Sequence, residues 1–176
     1  MSKESLGDLI KGYEANYNFT LPKRVPIVCR IDGRAFHSVT KGFDKPYDEI
    51  FIKTMQETMF FLCQSIQGCQ FGYVESDEIS LLIYETNTEA EPWFANRLQK
   101  ICSISASMAT LEFNRRFKEN ATAWIEKQGI QNESEKPRIE AYTNALKSGG
   151  IFDSRVFVIP ESVNVTYEGS WGNTMN

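Results

Sequence analysis

Between residues 25 and 160 the hydrophobic pattern alternates between short apolar runs and helical spacings, in the order strand, helix, strand, strand, helix, strand. Val25-Pro-Ile-Val-Cys-Arg-Ile31 is a β-branched run closed by Asp32-Gly33, so it predicts a buried strand ending in a tight turn. From Asp48 to Gln67, Ile50, Phe51, Met55, Met59, Phe60, Leu62, Cys63 and Ile66 recur at helical spacing and predict an amphipathic helix with a core-facing stripe. Gln70–Val74 and Ile79–Tyr84 predict two strands around Glu75-Ser76-Asp77-Glu78, a hairpin with an acidic tip. Pro92 to Lys118 reads as a long helix carrying Phe94, Leu98, Ile101, Ile104, Ala109, Leu111, Phe113 and Phe117. Lys127 to Lys147 is polar, contains Pro137 and has few apolar anchors, so it reads as a loop. Ile151 to Ile159 closes the series as a strand before Pro160. This order is the α+β, ferredoxin-like βαββαβ plan. Ahead of it, Leu6, Leu9, Ile10 and Tyr13 predict a short flanking helix over residues 4–16, and Asn18 to Arg24 reads as a loop.

With 176 residues the chain has room for one domain with a real core. An apolar share of 41% matches an ordinary globular protein, and no run approaches the roughly 20 residues of a membrane span. The charged, amphipathic start MSKESLGDLIKGYE lacks the apolar core of a secretory signal, so a cytoplasmic protein is expected. Cys29, Cys63, Cys69 and Cys102 form no CxxC pair and the chain has one histidine, which argues against zinc and for reduced, mostly buried thiols. A net charge of −4 is unusual for a nucleic-acid binder. Binding depends on where charge sits, so carboxylates gathered at one site leave room for a basic surface elsewhere.

In the βαββαβ plan the first strand neighbours the hairpin. Asp32 at the strand end and Asp77-Glu78 at the hairpin tip can therefore converge. Converging carboxylates, with backbone carbonyls and water, suit Mg²⁺ in a shell completed by substrate phosphates, and two such ions would clamp a phosphoryl displacement. Taken singly, Asp32 and Asp77 are also ordinary turn residues. Gly33 lets backbone approach a ligand, the turn Gly33-Arg34-Ala35-Phe36-His37 can form an anion-binding nest, and Arg34 can fork onto phosphate. Arg34 can equally be a surface ion pair, and His37 a structural residue. Lys45 could supply a point charge to a triphosphate. Asp48 reads first as the cap of the helix that follows.

Four stretches occur together and in order. They are Asp32-Gly-Arg-Ala-Phe-His37, Lys45-Pro-Tyr-Asp48, Gly72-Tyr-Val-Glu-Ser-Asp-Glu-Ile-Ser80 and Phe152-Asp-Ser-Arg-Val156. The set resembles the motifs RxDGRxFH, KPND, GYxxSDExS and FDGR of the tRNA-His guanylyltransferase family. The resemblance implies a polymerase-type palm over residues 1–160 with flanking helices, working in the reverse, 3′-to-5′ direction on the 5′ end of tRNA. It implies adenylylation of a 5′-monophosphate by ATP, then attack by the 3′-hydroxyl of an incoming nucleotide such as GTP. Asp32 and Asp77 match the metal-binding carboxylates for two Mg²⁺ ions, and Gly33 matches a ligand acting through its backbone oxygen. Ser76 and Glu78 match neighbouring active-site positions. Gly33, Arg34, Ala35, Phe36, His37, Lys45 and Ser76 match nucleotide-contacting positions. A homotetramer is implied as well.

The chain departs from the pattern at Tyr47, where the family has Asn, and at Ser154, where it has Gly. Residues 161–176 do not match the family's continuation and read as an atypical or truncated tail, so RNA-binding residues stay unassigned. Templated repair of 5′-truncated tRNA is the expected activity, with addition of a single G to tRNA-His as the alternative. A nucleotide-cyclase-like palm or a non-catalytic RNA-binding module are the other classes. The ordered motifs speak against the first, and the converging carboxylates, which would repel without a metal, against the second.

Overall fold

The computed structural model describes residues 5–87, 89–129, 132–159, 164–165 and 171–172. Its main element is a four-stranded sheet of β1 (Ile27–Gly33), β2 (Cys69–Glu75), β3 (Glu78–Ile83) and β4 (Phe152–Val158). The strand order is β2-β3-β1-β4, and every neighbouring pair is antiparallel. Between them run α2 (Phe36–Val39), α3 (Glu49–Ser65), α4 (Leu98–Gln128) and α5 (Lys136–Ser148). This is the expected βαββαβ plan, with additions.

Strand alternation sorts the sheet's residues onto two faces. Ile27, Cys29 and Ile31 of β1 and Ile79, Leu81 and Ile83 of β3 join the core with Met55 and Leu62 of α3 and Phe113 and Phe117 of α4. The helices therefore form a second layer on one side only. Contact between the layers is close enough that a Cβ at Gly72 would meet the sulfurs of Met59 and Cys63 at 2.5 Å.

α3 begins where Asp48 caps it, its Oδ1 accepting from the Phe51 N–H at 2.9 Å. The same buried carboxylate accepts from the Tyr142 hydroxyl at 2.9 and 3.0 Å and lies 3.6 Å from Arg138 Nε. Asp48 is thus a cap, as expected, and also the point where α5 is tied to α3. Burial pushes the Tyr142 phenol up, so it stays a donor.

The helix α5 corrects the sequence reading, which gave residues 127–147 to a loop. Pro137 lies in the first helical turn, where its missing N–H breaks no bond. Ala141, Tyr142 and Ala145 bury one narrow stripe. α4 also starts later and ends later than its spacing predicts. Phe94, Ala95 and Asn96 have left-handed backbones that stop the helix from starting at Pro92. The Leu98 N–H instead donates to Phe19 at 2.9 Å, pinning the loop before β1. Two apolar residues assigned to buried faces are exposed, Phe60 at 61% and Leu111 at 74%. The cysteines are free as expected, but only Cys29 is fully buried.

The flanking helix α1 (Leu6–Ala15) is present and buries none of its residues. In the atypical tail, β5 (Asn164–Val165) and β6 (Trp171–Gly172) pair as a short ladder, and the remainder lies outside the described residues. No helix among the described residues is long and apolar enough to cross a membrane.

Candidate active site

The sheet face away from the helices carries the chemistry-bearing side chains, and register arranges them in rows. At the end of β1, Asp32 is the partner of Glu78 on one side and Asp153 on the other, and Glu78 is the partner of Glu75. Four carboxylates therefore cross the sheet side by side. In the next row Tyr73 pairs with Ser80, Ser80 with Arg30 and Arg30 with Arg155.

The hairpin turn closes on this end of the sheet. Ser76 adopts a left-handed backbone (φ 55°), and its hydroxyl lies 3.2 Å from Asp77 Oδ1. The Gly33 N–H donates to the Asp77 carbonyl at 3.1 Å. Asp77 thereby sits beside the end of β1, and Asp32, Asp77 and Glu78 occupy one neighbourhood of the fold. Asp32 and Asp77 are half-buried, and Ser76 is exposed.

Three ion pairs, from two arginines, hold the carboxylates. Arg155 Nη1 lies 3.2 Å from Asp32 Oδ2, and its Nη2 lies 3.3 Å from Asp153. Arg30 pairs with Glu78. Among the described residues no group of three or more His, Cys, Asp and Glu is gathered as a metal cage. The donor chemistry still fits a hard cation, since carboxylate oxygens at an accessible strand end suit Mg²⁺ as an incomplete shell that phosphates and water can fill.

The turn after β1 differs in detail from the nest read in the sequence. The Gly33 N–H is engaged by Asp77, and the Arg34 N–H donates to Ile151 at 2.8 Å. The N–H groups that remain belong to Ala35, Phe36 and His37, at the start of α2, where no intrahelical carbonyl reaches them. Ala35 provides the bend with φ 55°. The Phe36 ring is buried against Phe51, Phe113 and Phe152, so only its backbone is available to a ligand. The side chains of Arg34, His37 and Lys45 are exposed and make no hydrogen bond or ion pair among the described residues. Lys45 lies in the loop that Asp48 and the 2.7 Å Arg138–Asp44 ion pair hold in place.

The two departures from the family motifs have separate surroundings. Tyr47 is 78% exposed. Ser154 faces the helix layer, 2.9 Å from the Ser105 hydroxyl and 3.4 Å from Cys29 Sγ, on the side of the sheet opposite Asp32. Sequence reasoning gave no role to Arg30, Glu75, Asp153 or Arg155. The alternation in Arg30-Ile31-Asp32 and Asp153-Ser154-Arg155 marks them as co-facial, but only strand register shows that they meet.

The same fold recurs in solved proteins. A bacterial tRNA(His) guanylyltransferase (Thg1)-like protein, solved in complex with ATP, is 38% identical with a TM-score of 0.72, over 89% of this chain and 59% of its own. Its complex with GTP gives a TM-score of 0.70 at 38% identity, over 89% of this chain and 64% of the other. The Saccharomyces cerevisiae tRNA(His) guanylyltransferase shares the fold at 22% identity and a TM-score of 0.61, over 85% of this chain and 58% of its own. In sequence, a probable tRNA(His) guanylyltransferase of Dictyostelium discoideum is 30% identical over 165 residues, which is 90% of this chain and 55% of that protein. The chain thus spans little more than half the length of these relatives. The family model for tRNAHis guanylyltransferase matches residues 7–160, and the chain belongs to that family.

Proposed function

We propose that this chain carries the nucleotidyl-transfer palm of a 3′-to-5′ polymerase acting on the 5′ end of tRNA. The observation that carries the reading is the bond from the Gly33 N–H to the Asp77 carbonyl, which brings the hairpin turn beside Asp32. Asp32 and Asp77 would hold Mg²⁺ together with the Gly33 carbonyl oxygen. When bound, the metal would neutralise charge on the transferring phosphate. Glu78 and Ser76 border that position.

In the first step a 5′-phosphate oxygen of the RNA attacks the α-phosphorus of ATP. A phosphoanhydride forms and pyrophosphate leaves. In the second, the 3′-hydroxyl of the incoming nucleotide attacks the 5′ phosphorus, its proton goes to solvent or a basic group, and AMP leaves. The chain's part is positioning and charge compensation. The first-turn N–H groups of α2, with Arg34, His37 and Lys45, are free to hold the triphosphate. That the bacterial neighbour was solved with ATP and with GTP supports nucleotide binding by this fold. Templated repair of truncated 5′ ends is the favoured form, on Tyr47, which departs from the family's Asn.

The test is nucleotide addition to a 5′-monophosphorylated tRNA lacking its first nucleotide, with Mg²⁺, ATP and each NTP in turn. Addition of only the nucleotide complementary to the opposing base is the expected result. Addition of G to tRNA-His alone would replace repair with the single-G reading. Full activity in Asp32→Ala or Asp77→Ala would sink the carboxylate mechanism.

A further inference from the structure

The row behind the carboxylates is made entirely of hydrogen-bond donors: the Tyr73 and Ser80 hydroxyls and the Arg30 and Arg155 guanidiniums. Arg30 and Arg155 are direct cross-strand partners, and like charges so placed destabilise a sheet. Their side chains are 43% and 57% exposed, and Arg30 Nε is buried with no hydrogen-bond partner. Three carboxylates pair with the two guanidiniums from one side, Glu78 with Arg30 and Asp32 and Asp153 with Arg155, and leave the outward N–H groups open. Two guanidiniums held side by side with half-exposed outward N–H groups form a fork that fits an anion.

The row also has a length. It crosses all four strands, so three spacings of about 4.8 Å separate Tyr73 from Arg155, roughly 14 Å. One phosphate needs only the two arginines, whereas a run across the whole row matches a chain of linked nucleotides. Tyr73 is 46% exposed at one end, and Phe157, next along β4 on the same face, is 41% exposed at the other. Both rings can stack on unpaired bases.

We propose that the row Tyr73–Ser80–Arg30–Arg155 is the track for the 5′-terminal strand of the RNA, with one backbone phosphate between Arg30 and Arg155 and the 5′ end directed to the carboxylate row. This rests on the proposed function and supplies the RNA contacts that reading lacks. It needs no turnover, so its failure and the failure of the polymerase reading are separable.

The experiment is equilibrium binding of a tRNA with an unpaired, 5′-monophosphorylated end, in EDTA, over a range of salt, beside binding of ATP. The double variant Arg30→Gln/Arg155→Gln is expected to bind RNA roughly 10- to 100-fold more weakly. Its slope of log affinity against log salt should fall by about 0.7 per arginine removed. ATP affinity should change less than threefold. Arg30→Lys/Arg155→Lys keeps the charge and the fold, and should keep the salt slope while losing part of the affinity. Tyr73→Ala should weaken RNA binding, and Tyr73→Phe should restore it. An RNA affinity and salt slope unchanged in both double variants would overturn the proposal and leave the arginines as partners of the carboxylates alone. An equal loss of ATP and RNA affinity would also overturn it, assigning the row to the triphosphate.

Discussion

Gly33 and Gly150 flank the Phe36 ring. A Cβ built on either would fall inside the ring's van der Waals contact, 2.7 Å from Cζ in the case of Gly150. The glycine that the sequence marks as a place for backbone to approach a ligand is thus also required for packing. The expected result for Gly33→Ala is a loss of about 1–3 kcal/mol, as for other overpacked core positions, read as a lower urea midpoint. Unchanged stability with impaired nucleotide use would instead make ligand approach the sole reason for the glycine. The strand-end placement of the candidate-site carboxylates was legible in the sequence because Asp-Gly after an apolar run and an acidic hairpin tip mark strand ends. The Phe36 ring was not, because a motif position does not show which way its side chain turns. Arg30 and Arg155 went unassigned for a related reason, since their neighbours lie on other strands.

Elements with strong apolar periodicity follow their sequence signals closely, as α3 and the β2–β3 hairpin show. α5 escaped because its burial rests on Ala141, Tyr142 and Ala145, and its anchors are polar, running from Tyr142 and Arg138 to Asp48. α4 holds the converse case, a carboxylate on a buried stripe. Glu112 is 4% exposed, and its oxygens accept from Arg115 Nε at 2.8 Å, Arg115 Nη2 at 2.6 Å and Arg116 Nε at 2.7 Å. The hydrogen bonds from Arg115, more than those from Arg116, hold the Glu112 carboxyl below its usual range against the opposing effect of burial. A carboxyl with a depressed folded-state pKa stabilises fully above its unfolded value of about 4.3, and that stabilisation is lost as pH falls through the lower, folded value. Glu112→Gln is therefore expected to cost roughly 1–2 kcal/mol at pH 7, at the low end because both arginines are part-exposed. The difference from wild type should shrink steadily below about pH 4 in urea titrations. A difference that stays constant down to acid unfolding would assign the effect to packing.

At the scale of the molecule, two layers divide the labour. The helices cover one face of the sheet and supply the aromatic core, while the other face holds charged rows whose members contact one another and solvent. The net charge of −4 reports the sum of these faces and hides their arrangement, in which Arg30 and Arg155 lie side by side next to a row of carboxylates. On the proposed function, the division would also separate activity from stability. Asp32 contributes an exposed ion pair with Arg155, and such pairs are worth about 0–1 kcal/mol. Asp32→Ala should then unfold within a few degrees of wild type in EDTA. With Mg²⁺ and ATP together at about a hundredfold excess over their dissociation constants, wild type should gain roughly 5–10 °C, because a ligand that binds only the folded state stabilises it by about 2.7 kcal/mol at that excess. A metal at Asp32 would compete with Arg155 for the same carboxylate, so the gain would report the exchange of one cation for another. Differential scanning fluorimetry on both proteins decides the matter. A gain confined to wild type places the metal at Asp32, and an equal gain in Asp32→Ala would move the metal to another part of the molecule.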